Sequence, residues 1–97
     1  MDNDTEQTVR AQVEICNQKG LHARASAKFV KLAATFDGTQ IYVFRDGNKV
    51  DAQSIMGLLM LGAGMGSTIE IAAAGPQAQE AVDALTALVV NKFDEGA

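Results

Sequence analysis

Gln40-Ile41-Tyr42-Val43-Phe44-Arg45-Asp46-Gly47-Asn48-Lys49-Val50-Asp51 is the stretch that decides the fold. Asp46-Gly47 separates two strand-like runs. A type I′ turn needs positive φ at both central residues, and Asp-Gly meets that need, so the pair predicts a hairpin. Gln40 to Arg45 and Asn48 to Asp51 are its strands. Side chains alternate across a strand, so Ile41 and Val43 point to one face and Tyr42 and Phe44 to the other. That pattern predicts a sheet with helices on one side only and a partly solvated opposite face.

Outward toward the N-terminus, residues 9 to 16 alternate, with Val9, Ala11, Val13 and Ile15 against Arg10, Gln12 and Glu14. This is the signature of a half-buried strand. Cys16 belongs to the same alternation and reads as a small core residue. Asn17-Gln18-Lys19-Gly20 is a turn-rich loop. A helix is predicted from about Ala23 to Thr35, where Ser26, Phe29, Val30 and Ala33 follow the i, i+3, i+4, i+7 stripe. Asp37-Gly38 stops it.

Outward toward the C-terminus, Ser54 is a plausible N-cap for a short helix from Ile55 to about Leu61. Gly62, Gly64 and Gly66 mark a flexible connection. Thr68 to Ala73 is a fourth strand with Ile69 and Ile71 inward. Gly75-Pro76 opens a last helix, proline suiting its first turn. Ala78, Val82, Leu85, Leu88 or Val89, and Phe93 keep its period. Residues 1–8 read as a disordered arm and 94–97 as a frayed acidic end, leaving one folded domain over 9–93. The order β-α-β-β-α-β-α predicts a two-layer α+β domain with an antiparallel or mixed sheet.

Composition narrows the function classes. A net charge of −4 disfavours non-specific nucleic-acid binding. No apolar run reaches membrane-spanning length. The acidic, polar first residues do not resemble a secretory signal, and the single cysteine cannot form an internal disulfide, so a cytoplasmic location is expected.

Against this acidic background stands Gly20-Leu21-His22-Ala23-Arg24-Ala25-Ser26-Ala27-Lys28-Phe29-Val30, with the one histidine of the chain. His22 falls at the start of the first helix. A helix start offers unpaired N–H groups and the positive end of the macrodipole, which suit a phosphate. Arg24 brings a guanidinium fork that matches phosphate oxygens. A lone histidine before a helix is more often a cap or surface residue than a catalyst. Lys28 and Lys31 alone are most often a solvated helix face, but beside Arg24 in an acidic protein they favour a docking patch for acidic partners.

Gly20-Leu21-His22-Ala23-Arg24 followed by Ala27-Lys28-Phe29-Val30 resembles the active-site motif of the HPr family, the histidine phosphocarriers of the bacterial phosphotransferase system. Gln53-Ser54-Ile55-Met56-Gly57-Leu58-Leu59-Met60-Leu61-Gly62 resembles that family's second signature, around its regulatory serine. The resemblance covers roughly residues 9 to 93, and the paired motifs reverse the odds against a lone histidine. It implies an open-faced β-sandwich, a four-stranded antiparallel sheet with three helices on one face. It implies that His22 takes a phosphoryl group on Nδ1, assisted by Arg24 and the backbone N–H groups of Ala23 and Arg24. The donor it implies is enzyme I, charged by phosphoenolpyruvate, and the acceptors are EIIA-type domains. Such a protein is a phosphotransfer intermediate rather than an independent enzyme, with no metal or cofactor expected. Where the family usually carries proline after the arginine, this chain has Ala25, which frees φ and restores a donor.

The Ser54 helix carries a separate reading. Ile55, Met56, Leu58, Leu59, Met60 and Leu61 are too many apolar residues for one buried face of a two-turn helix, so some must be exposed as a docking surface. By resemblance, Ile55, Met56 and Leu59, with Ala27, form the family's partner patch. Ser54 is an N-cap and, by resemblance, a target of HPr serine kinase/phosphorylase. Phosphate there keeps the helix and adds charge that repels acidic partners. The alternative function is a regulatory module whose binding depends on phosphorylation at His22 or Ser54. A small-ligand-binding domain is a third reading, since such layouts host many functions. A carrier surface that alternates between partners points to a monomer.

Overall fold

A computed structural model describes residues 8–96. The elements are β1 (Thr8–Glu14), α1 (Ala23–Ala33), β2 (Gln40–Arg45), β3 (Asn48–Asp51), α2 (Ile55–Met60), β4 (Thr68–Ala74) and α3 (Ala78–Val90), followed by a short turn over Lys92–Asp94. The arm expected over 1–8 lies outside the described residues except for Thr8, which opens β1.

The hairpin forms for the reason the sequence predicts. Asp46 has φ 51 and Gly47 φ 83, and Arg45 pairs with Asn48 across them. The sheet order is β1-β4-β2-β3 and all its pairings are antiparallel, so the expected family fold is the observed one. Val13, Ile41, Val43, Ile69 and Ile71 line one face and share a core with Phe29, Leu58, Leu85 and Val89 from the helices. The other face carries cations over aromatics. Arg10 lies 5.5 Å from the Phe44 ring centre and Lys49 lies 4.2 Å from that of Tyr42. These cations cover apolar ring surface that no helix among the described residues shields.

Helix ends depart from the sequence reading by a few residues, each for a local reason. α1 stops at Ala33, because Thr35 and Phe36 donate to the carbonyls of Leu32 and Ala33 and tighten the chain. Pro76 does not lie in the first turn of α3. Gly75 has φ 129, and the Gln77 N–H donates to Thr39 Oγ1 at 3.2 Å, which delays the helix to Ala78.

The largest departure is at the C-terminus. Phe93 keeps the spacing of the α3 stripe, yet the helix ends at Val90. Lys92, Phe93 and Asp94 all adopt left-handed backbone, with φ of 57, 52 and 62. For non-glycine residues this costs roughly 1–2 kcal/mol each. Phe93 offsets the cost by full burial in the core. Lys28 Nζ donates to the Phe93 carbonyl at 2.8 Å, and Asn91 Nδ2 donates to Asp94 Oδ1 at 2.6 Å. Within the acidic end expected to fray, Glu95 is tied down (Asn17 donates to its Oε1) and directed back toward the start of α1, while Ala97 lies outside the described residues.

Candidate functional site

The site is built from the loop after β1. The Ile15 N–H donates to Ser67 O and the Gly66 N–H to Ile15 O, which pins the strand end to the loop before β4. Asn17 is fully buried and donates to Gly20 O at 2.8 Å. Gly20 has φ 64, and a Cβ there would lie 2.6 Å from Ala63 O, so only glycine fits. The Leu21 N–H then donates to the same Ala63 carbonyl at 2.9 Å. This chain of contacts fixes the backbone one residue before His22.

His22 is the N-cap residue of α1, extended at φ −82 and ψ −176. Its carbonyl accepts the first helical bond, from Ser26 N–H at 2.8 Å, and among the described residues no side chain caps the helix. The N–H groups of Ala23, Arg24 and Ala25 thus precede the helical ladder and form the positive end of its dipole. The His22 side chain is 25% exposed and meets Glu95 through Nε2. Asn17 Nδ2 donates to the other carboxylate oxygen of Glu95 at 3.0 Å. Burial pushes the Glu95 carboxyl up, but hydrogen bonds from His22 and Asn17, the charge that His22 carries when its ring is protonated, and the charge of Lys28 outweigh it. The group lies below its usual value. Gln18, Lys19, His22, Arg24 and Glu95 line a cavity of about 150 Å³. A larger hollow of about 400 Å³ between α1 and α3 is lined by Lys28, Lys31, Leu32, Thr35, Leu88 and Asp94.

The residues singled out in the sequence fall as follows. Arg24 is exposed, on the same cavity as His22. Ala27 and Lys31 are exposed on α1, while Lys28 is half-buried and engaged with the Phe93 carbonyl. Ala25, where the family's proline stands, is fully buried. Ser54 caps α2, its Oγ accepting from Gly57 N–H at 2.9 Å. Ile55 and Met56 are exposed at 40% and 67%, Leu59 is half-buried, and Leu58 alone of α2 is fully buried. α1 and α2 are in contact, so the apolar residues and His22 lie on neighbouring helices. Met60, which the sequence reading placed in the apolar run of α2 but outside the partner patch, is exposed at 79%; that reading missed Met65, exposed at 62%, and it missed Asn17 and Glu95 at the histidine. Glu95 is 73 positions from His22, and only the tertiary fold joins them.

Comparison with known proteins agrees with this fold. The family model "PTS HPr component phosphorylation site" matches residues 9–91. A phosphocarrier protein HPr of Cupriavidus necator is 55% identical over 82 residues, covering 84% of this chain and 91% of that protein. A phosphocarrier protein NPr of Shewanella violacea is 50% identical over 84 residues, covering 87% and 91%. The crystal structure of HPr-C-His from Thermoanaerobacter tengcongensis superposes with a TM-score of 0.85 at 42% identity, covering 90% of this chain and 97% of that one. No helix among the described residues is long and apolar enough to cross a membrane. With its motif, its sheet order and these matches over most of its length, the chain belongs to the HPr family of phosphocarriers of the phosphotransferase system.

Proposed function

We propose that His22 accepts a phosphoryl group from enzyme I and passes it to EIIA-type acceptor domains. The observation that carries this reading is the placement of His22 at the uncapped start of α1, on one cavity with Arg24. In the forward step the Nδ1 lone pair forms a bond to phosphorus as the bond between phosphorus and the donor breaks. In the onward step the N–P bond breaks and its electrons return to Nδ1. Arg24 shares the phosphoryl charge through its guanidinium fork, and the N–H groups of Ala23 and Arg24 add fixed donors. The chain contributes positioning and electrostatics, as phosphoryl transfer demands.

Partner choice belongs to the surface beside the nucleophile. Ile55, Met56 and Leu59 on α2 and Ala27 on α1 supply its apolar part, and methionine adapts to more than one partner. Lys31 supplies positive charge toward acidic partners. Lys28 has a smaller share, since its ammonium holds the Phe93 carbonyl. The protein acts as a monomer in the cytoplasm. Ser54 is the regulatory position, where a serine kinase/phosphorylase adds a phosphate that α2 tolerates and acidic partners do not.

A regulatory role through binding is the second reading, favoured by the exposure of Ile55 and Met56 directly after Ser54. It uses the same surface and the same two phosphorylation positions. Incubation with enzyme I and phosphoenolpyruvate tests the carrier reading. The intact protein gains one acid-labile phosphoryl group by mass spectrometry, and His22→Ala gains none. An equal gain in the variant refutes the assignment.

A further inference from the structure

The contact between Glu95 and His22 is held from several directions at once. One carboxylate oxygen faces His22 Nε2 and the other accepts from Asn17 Nδ2 at 3.0 Å. Asn17 is itself fixed, being fully buried and bound to Gly20 O at 2.8 Å. The backbone leading to Glu95 is fixed too. Phe93 is locked in the core, its carbonyl is held by Lys28, and Asp94 is held by Asn91. Left-handed backbone at three successive non-glycine residues persists only where the surroundings over-determine it. Here the outcome of that strained turn is a carboxylate, 13% exposed, seated against the imidazole.

An ionised carboxylate has no proton to donate, so the hydrogen in this contact belongs to Nε2. A neutral imidazole has one N–H, and Nδ1 is left with the free lone pair. We propose that Glu95 is a positioning residue. It fixes His22 as the Nε2–H tautomer, leaves Nδ1 as the available nucleophile, and keeps its hold on Nε2–H while Nδ1 carries the phosphoryl group. The last part rests on the carrier reading above, and the tautomer part does not.

The charge balance gives the contact a purpose. When Nδ1 bonds to phosphorus and Nε2 keeps its proton, the ring becomes an imidazolium and no proton has to move. When the N–P bond breaks, its electron pair returns to Nδ1 and the ring is neutral again. Lys19 and Arg24 line the same cavity, Lys28 lies nearby on α1, and the helix start adds partial positive charge. All of these oppose a cationic ring. Among the described residues Glu95 is the single carboxylate lining that cavity, and it compensates the ring's charge. An outer group that fixes the orientation and tautomer of a working histidine follows the same logic at metal sites and in hydrolases.

The test uses the full chain labelled with 15N-histidine, as wild type, Glu95→Ala and Glu80→Ala. Glu80 is exposed in the first turn of α3 and removes an equal charge away from the site. Near neutral pH, wild type and Glu80→Ala show a slowly exchanging imidazole N–H on Nε2, and Glu95→Ala loses it to solvent exchange. With enzyme I and phosphoenolpyruvate, Glu95→Ala accepts phosphoryl groups with a maximal rate about 10-fold lower and an unchanged KM for the protein. A bound N–H on Nδ1 in wild type overturns the proposal, as does an Nε2–H signal unaffected in Glu95→Ala. An unchanged maximal rate overturns its catalytic part. If no variant accepts phosphate while the Nε2–H signal depends on Glu95, the carrier reading fails and the tautomer assignment stands.

Discussion

Gly20→Ala tests whether the backbone before His22 is set by contact with the loop before β4. Gly20 has φ 64, which costs an alanine roughly 1–2 kcal/mol. The added Cβ would also lie 2.6 Å from Ala63 O and 2.7 Å from Gly64 Cα, both backbone atoms, so one loop has to move. Forced overpacking of that kind costs roughly 1–3 kcal/mol. The total is roughly 2–5 kcal/mol, a large share of the 5–15 kcal/mol typical of a domain. Gly38→Ala is the matched control. Gly38 has φ 78, but the nearest atom to its Cβ would be Pro76 Cγ at 4.0 Å, so only the backbone cost applies. Urea unfolding of both variants separates the terms, and Gly20→Ala is the less stable by roughly 1–3 kcal/mol. Function follows geometry, because moving the loop displaces the Leu21–Ala63 hydrogen bond and with it His22. A shift near 1 Å lowers the transfer rate on the order of 100-fold. Equal stability losses in the two variants, or full transfer by a folded Gly20→Ala, refute the reasoning.

Arg24→Ala leaves stability within about 0.5 kcal/mol because the side chain is exposed, and it slows phosphoryl acceptance on the order of 100-fold; unchanged stopped-flow kinetics remove Arg24 from the mechanism. Ser54→Ala loses the N-cap of α2 and about 1 kcal/mol in denaturant unfolding. Ser54→Asp retains a capping oxygen but weakens binding of enzyme I in calorimetry, and equal affinity contradicts charge repulsion. The Glu95 carboxyl is held below its ordinary value of 4.5 in the folded chain. Its stabilising contribution is therefore complete above that value and is lost as pH falls through the lower folded value. Stability curves of wild type and Glu95→Gln, measured from neutral pH downward, converge in that acid range, and parallel curves contradict the linkage.

Local chemistry made most of the fold legible. Asp46-Gly47 requires a primed turn, the alternation in β2 assigns its faces, and the glycine and charge pattern around His22 marks a helix start. What stayed hidden depends on contacts far apart in the chain. Phe93 follows Val89 by one helical turn, so periodicity alone extends α3 through it. In the folded chain Phe93 reaches the core through a left-handed turn that no propensity favours, and tertiary burial outweighs the local cost. Glu95 looked like one of several solvated acids at a terminus, and Asn17 like an ordinary loop residue. Both acquire their meaning from the position of His22 across the fold. Lys28 shows the converse case. Its spacing suggests a surface charge, and its ammonium is instead spent on a buried-turn carbonyl.

The most direct test of the central claim is a 31P–15N correlation spectrum of the 15N-histidine-labelled protein after incubation with enzyme I and phosphoenolpyruvate. The account predicts one phosphorus signal coupled to Nδ1 of His22, with the proton retained on Nε2. A phosphorus coupled to Nε2, or one bound to no histidine nitrogen, contradicts it.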